Sequence, residues 1–289
     1  MLREDSFIQR FLFDALDIRG AVVQLNAVWR AMLAGRRYTP QVRDVFGELS
    51  AIAAIMTSNL KQPGRLTFQL QGHGPLSLLV VDCTESLNLR GYAKASDNAS
   101  ASSLPDLLGD GRMLLTLDVA AQQQPYQSHV PREGDTIAAV FEQYLAQSEQ
   151  QPAALWLSAN GDTAAGLFLQ KLPTADERDP DGWQRVTQLA ATVGNDELRA
   201  LEPATLLTRL FHEEDVRLFP PRAVTHHWPA DPDKIDTMLR GLGREEIDAI
   251  LAEHGVVEIH DDLSNHTYRY DADAIDALFA DAPAPPTQH

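Results

Sequence analysis

Residues 66–81 read LTFQLQGHGPLSLLVV. Leu66, Phe68 and Leu70 alternate with polar residues, the period of a strand with one buried face. Gly72-His73-Gly74-Pro75 is a turn signal. Residues 76–81 are almost continuously apolar, the pattern of a strand buried on both faces. A hairpin like this is stable only within a wider sheet covered by another layer. The flanking sequence supplies both. Leu87, Leu89 and Tyr92 predict a further strand, and Gly109-Asp110-Gly111 reads as a second hairpin turn before a strand over 113–119. Two more strands are expected over 154–158 and 164–170. Val42, Val45, Phe46, Leu49, Ile52 and Ile55 have the spacing of an amphipathic helix, and 135–150 predicts another. The opening stretch 7–16, FIQRFLFDAL, is strand-like, whereas 21–33, AVVQLNAVWRAML, fits either a strand or a helix. Residues 1–173 therefore read as one α+β domain of β-sheet and helix.

The character changes at Pro173. The stretch 174–182, TADERDPDG, is acidic and turn-rich. Three short helical patterns follow, over 183–193, 195–201 and 204–211, separated by Gly194 and Pro203. None is long or strongly amphipathic, so 174–221 reads as a metastable helical linker. Residues 222–281 read as a small helix–hairpin–helix module. Ile235, Met238, Leu239 and Leu242 form one stripe, and Ile247, Ile250 and Leu251 a second that Gly255 closes. A hairpin surrounds 261–266, and a last helix covers 272–279. The tail 282–289 reads as flexible.

The chain has 289 residues, 44% of them hydrophobic, which is too apolar for a disordered chain. The net charge is −17 and is uneven: residues 174–289 carry 24 acidic and 10 basic side chains, residues 1–173 carry 17 and 14. Such a field repels phosphate backbones and argues against a nucleic-acid partner. No apolar run has bilayer length, so no membrane association is expected. The first residues carry acids and no signal-peptide apolar core, which points to the cytoplasm.

A single cysteine, Cys83, excludes an intramolecular disulfide and any zinc site built on two thiolates of one chain. Next to Asp82 and Glu85 it reads as an inert, partly buried thiol rather than a redox sensor. His226, His227, His260 and His266, with Asp261 and Asp262, offer imidazole and carboxylate ligands. Their spacing matches no standard zinc motif, so the preferred reading is solvated turn residues. The same imidazoles suit a pH switch. His212-Glu213-Glu214-Asp215 reads as a solvated helix end. No phosphate-binding G-x-x-x-x-G-K-[ST] loop and no G-x-S-x-G elbow occurs, so no ATP site, cofactor or catalytic residue is expected.

Several unusual strings occur in one order: Asp17-Ile18-Arg19-Gly20, the 72–75 turn, Gly109-Asp110-Gly111, YLAQSEQ over 144–150, Ala165-Gly166, LFHEEDV over 210–216 and ILAEHG over 250–255. Together they resemble the heat-shock protein 33 family of redox-regulated bacterial chaperones, from about Asp5 to Phe279. The resemblance implies a substrate-holding N-terminal domain, a metastable linker and a C-terminal zinc module whose four cysteines keep the chaperone off until oxidised. It also implies an active homodimer. Aligning Pro220-Pro221 and ILAE places those four positions at Trp228, Ala230, Asp261 and Ser264. All four thiols are missing.

The chain is accordingly expected to be an ATP-independent holding chaperone (holdase) for unfolding proteins, without the zinc-thiolate switch. The candidate client-binding surface is the apolar set Trp183, Val186, Leu189, Leu198, Leu201, Leu206, Leu207, Leu210 and Phe211, docked at rest on the N-terminal sheet. Trp228, Ile235 and Leu263 are expected to fill the lost metal site with apolar bulk. Burying a Trp contributes about 2–3 kcal/mol, against roughly 10–16 for a structural zinc. The alternatives are a non-chaperone interaction relative, separated by an aggregation assay, and a His/Asp metal-dependent hydrolase, separated by hydrolase screening with added zinc.

Overall fold

The structure, a computed structural model, describes residues 5–100, 103–119, 124–131 and 133–280. The expected tail 282–289 lies outside the described residues. The fold is α+β, in two compact units that divide between His227 and Trp228.

The first unit opens with β1 (Phe7–Phe13), β2 (Ile18–Leu25), α1 (Ala27–Leu33), α2 (Pro40–Ser58), β3 (Gly64–Gln71), β4 (Leu76–Thr84) and β5 (Leu89–Ala95). There follow α3 (Leu104–Leu108), β6 (Arg112–Val119), β7 (Tyr126–Val130), α4 (Ile137–Ser148), β8 (Ala153–Ala159) and β9 (Ala164–Lys171). Then come α5 (Ala175–Arg178), α6 (Gly182–Ala190), α7 (Asn195–Ala200), α8 (Pro203–Leu210), β10 (Val216–Leu218) and β11 (Arg222–Ala223). The second unit holds α9 (Pro232–Leu242), α10 (Arg244–His254), β12 (Val257–Asp261), β13 (His266–Tyr270) and α11 (Ala272–Ala280).

Among the described residues the first unit has two antiparallel sheets. One runs β10-β1-β2-β9-β8, with β11 also paired to β1; the other runs β5-β4-β3-β6-β7. Helix α2 lies between them. Thr39 starts it by accepting the Val42 amide, and Pro40 fills the first helical position, where a missing N–H costs nothing. Sequence spacing predicts one apolar face on this helix. The structure buries it nearly all round, because Gly47, Ser50, Ala51, Ala53 and Ala54 are small enough for the sheets to close on the other sides. A Cβ at Gly47 would stand 2.5 Å from that of Ala159.

The first sheet is buried on both faces. Ala21, Val23, Leu25 and Phe168 turn towards α2, whereas Phe11, Phe13, Ile18, Val22, Leu167 and Leu169 turn the opposite way. Two readings of the second sheet are corrected. In β4 only Leu76, Leu79, Val81 and Cys83 reach the core; Leu78 and Val80 are half-exposed on an outer face that they share with Tyr92 and Leu114. Gly109-Asp110-Gly111 joins α3 to β6 and is not a hairpin turn. It packs instead on the β3–β4 turn, where the Gly74 amide donates to the Leu108 carbonyl at 2.9 Å and a Cβ at Gly72 would strike that oxygen.

Residues 222–227, assigned from sequence to the last module, lie in the first unit. Arg222 and Ala223 pair with Ile8 and Phe7, Val224 is buried, and Thr225 exchanges backbone bonds with Leu87 and Leu89. The exposed edge of β1 needed partners, and this segment supplies them.

Candidate functional site: a helical layer over a buried apolar sheet

The nine candidate residues gather in one place. Val186, Leu198, Leu206, Leu207, Leu210 and Phe211 are buried with Phe11, Phe13, Ile18, Val22, Leu167 and Leu169, and Trp183, Leu189 and Leu201 pack around the edge. Each helix contributes little alone, since helices this short are marginal in water. The layer is held chiefly by the sheet beneath it.

Its densest point is aromatic. The Phe211 ring meets the Phe13 ring edge-on at 4.9 Å, and Phe13 meets Phe11 in the same way at 5.6 Å. Gly20 lies under Phe11, where a Cβ would fall 2.2 Å from a ring carbon. One buried polar tie crosses the seam: Gln24 Nε2 donates to the carbonyls of Leu198 and Leu201 at 2.9 and 2.8 Å. These carbonyls lie in the last turn and at the C-cap of helix α7, where the helix end leaves carbonyls without helical partners.

At the rim, Arg185 bridges Asp179 at 2.9 Å and Glu214 at 2.6 Å. Hydrogen bonding to Arg185 holds the Asp179 carboxyl below its ordinary range. Arg209 pairs with Glu197, and Arg217 with Asp14. Ion pairs this exposed contribute little to stability. Residues 212–215 follow the end of α8 as a turn, not as part of a helix, and their use is structural through Glu214.

Cys83 is fully buried in the main core, and that burial pushes its thiol up to about 12. The thiolate that redox chemistry needs is absent at neutral pH.

In the second unit, Ile235, Leu239, Ile247, Val257, Ile275 and Leu278 form the core. Trp228 and Leu263, expected to share in it, do not. Trp228 is half-buried in the extended strap before α9, where Pro229 and the next residues follow no helical pattern. Hydrogen bonds join the strap to the hairpin instead. The Trp228 carbonyl accepts from His266 Nε2, and the Asp231 amide donates to Tyr268 Oη at 2.8 Å. Asp261 organises the β12–β13 turn: its Oδ1 accepts the amides of Leu263 and Ser264 at 3.0 and 3.4 Å, and its Oδ2 faces Lys234 Nζ at 3.4 Å.

The four positions aligned with zinc ligands do not fit that metal. Trp228 and Ala230 offer no side-chain ligand, and both Asp261 oxygens already have partners. The histidines go to separate local bonds. His226 Nδ1 donates to the Leu89 carbonyl and the His227 amide to Asn88 in the first unit, whereas His260 bonds Thr267 in the second. Among the described residues no three His, Cys, Asp or Glu side chains gather as a metal-binding group. None of their helices is long and apolar enough to cross a membrane.

Comparison with known proteins covers nearly the whole chain. A family model described as "Hsp33 protein" matches residues 6–271. The "33 kDa chaperonin" of Methylobacillus flagellatus is 39% identical over 274 residues, 94% of either chain. That of Shewanella loihica is 39% identical over 282 residues, 97% of this chain and 98% of the relative. Among solved structures, the 33 kDa chaperonin (heat shock protein 33 homolog) of Thermotoga maritima superposes with a TM-score of 0.79. It does so at 20% identity, over 96% of this chain and 98% of the other.

Proposed function

The chain belongs to the Hsp33 family, and from that premise we propose that it is an ATP-independent holdase that binds unfolding proteins and keeps them from aggregating. The observation that carries this reading is the continuous apolar seam between the first sheet and the layer of α6, α7 and α8. Release of the layer exposes two complementary apolar surfaces at once, the chemistry that captures an unfolded chain. Trp183, Val186, Leu189, Leu198, Leu201, Leu206, Leu207, Leu210 and Phe211 are the client-binding candidates on one side, and Phe11, Phe13 and Leu167 on the other.

In this reading the four former ligand positions, Trp228, Ala230, Asp261 and Ser264, have exchanged a metal staple for hydrogen bonds, so oxidation has nothing to act on there. Release then follows from the marginal stability of the layer itself. The protein works in the cytoplasm, without enzymatic activity, cofactor, nucleic acid or membrane, and the active form is a homodimer. The test is light scattering from a thermally unfolding client without nucleotide. A stoichiometric amount of the chain is expected to suppress scattering; undiminished scattering at every ratio overturns the proposal.

A further inference from the structure

On the α2 side of the first sheet, strand register sets two rows of side chains next to each other. Arg10, Ala21 and Phe168 form one, and Leu12, Arg19 and Gln170 the other. The Phe219 amide donates to the Arg10 carbonyl at 2.9 Å and so adds Phe219 beside the first row. Arg10 and Arg19 are therefore diagonal neighbours on adjacent strands, which stand about 7–8 Å apart, within reach of long side chains. Helix α2 ends at Ser58. Beyond its cap, Asn59, a cavity of about 220 Å³ opens over this end of the sheet, and both arginines line it.

The wall of this cavity carries two guanidiniums, one side-chain amide and no acid, in a chain of net charge −17. The rest of it is apolar, with Leu12, Phe168, Leu172 and Phe219. Arg19 is held from outside the wall. Its Nε donates to Gln170 Oε1 at 2.8 Å, and its Nη2 lies 3.8 Å from Glu149. Arg19 Nη1 and the whole Arg10 guanidinium have no acceptor among the described residues. Burial, with the Arg10 charge beside it, lowers the Arg19 guanidinium against the pull of Glu149. Like charges disfavour one another, and an anion seated between them removes that cost.

We propose that this cavity binds a small monocarboxylate that carries one aromatic ring. A carboxylate accepts two parallel N–H bonds from a planar guanidinium, a strong and directional pairing. Arg10 and Arg19 Nη1 present such donors from neighbouring strands. The ring goes to Phe168, Phe219 and the two leucines, since aromatic rings gain from edge-on contact as well as from burial. Pockets for drug-sized ligands run about 300–1,000 Å³, so this smaller one suits a single ring with a short acid arm. A bare phosphate satisfies the cations but leaves the apolar wall wet. The site lies on the opposite face of the sheet from the client seam and does not depend on the holding function.

The test is titration calorimetry of the full chain at low salt with 3-phenylpropanoate, 3-phenylpropanamide and inorganic phosphate. The acid should saturate one site, and the amide and phosphate should each bind about tenfold or more weakly. Arg10→Met should weaken the acid about tenfold or more, the loss of a charge-assisted bond, and leave the amide unchanged. Arg10 is exposed and its guanidinium holds no other group, so this variant should fold as wild type does. Arg37→Met removes an equal charge from an exposed position outside the wall and should change nothing. No saturable binding of the acid, equal binding of the amide or of phosphate, or an equal loss in both variants overturns the proposal.

Discussion

Truncating Phe211 to Ala separates the layer from the sheet at its most tightly packed point. The ring is fully buried, edge-on to Phe13 and 6.5 Å from Phe11. Replacing such a Phe by Ala costs about 3–5 kcal/mol in lost transfer energy and cavity formation. At about 1.4 kcal/mol per factor of ten, that raises the opening equilibrium of the layer by roughly two to three and a half orders of magnitude. The loss should fall on the layer alone, since Phe211 touches only the outer apolar cluster and not the one around α2. Hydrogen exchange resolved by segment is the assay. Residues 182–211 should lose protection while β3, β4 and α2 keep theirs, and holding activity should appear at a lower temperature. Phe68→Ala is the control, because Phe68 packs in the inner core against Phe141 and its loss should lower the protection of the whole unit. If Phe211→Ala weakens layer and core together, the layer is not a separable element and the release mechanism is wrong.

Further expectations concern single contacts. Gln24→Ala leaves the carbonyls of Leu198 and Leu201 unpaired and should cost about 1–3 kcal/mol, seen as faster exchange in α7 before any global unfolding. Asp261→Ala removes the acceptor of the hairpin turn and should lower the stability of the second unit by about 1 kcal/mol. Burial of Asp261 raises its carboxyl, but bonds from Ser264 and Leu263, with Lys234 nearby, outweigh this and leave it lowered. Its contribution therefore holds above the ordinary aspartate range and is lost as pH falls through the depressed value, which an acid titration of near-UV dichroism on wild type and variant can check. Cys83 should be silent to a thiol reagent in the native chain and label only at the rate of unfolding; rapid labelling would contradict its burial.

The main architecture was legible because its strands and helices carry strong periodicity. β3 alternates over Leu66, Phe68 and Leu70, and Gly255 closes α10 with φ 74° as read. The seam between layer and sheet was legible too, since Leu206, Leu207 and Leu210 have nowhere else to bury their area. What stayed hidden depends on contacts between distant segments. The complete burial of α2 rests on alanines and a glycine, which carry little hydrophobic signal by themselves. β10 and β11 are too short for any pattern and exist because β1 offers an open edge. The expected boundary between residues 221 and 222 falls where the chain is still engaged in β-pairing with β1. Trp228 departs from expectation for a related reason: its size suggests a core residue, whereas its place in an extended strap leaves it half-buried.

The central claim is that holding activity here needs no thiol chemistry. The direct measurement is suppression of light scattering from a heat-unfolded client, run side by side with reductant, with peroxide and with a zinc chelator. The account predicts equal suppression in all three, appearing over the temperature range in which residues 182–211 lose protection. Suppression that requires peroxide, or that the chelator switches on, would contradict it.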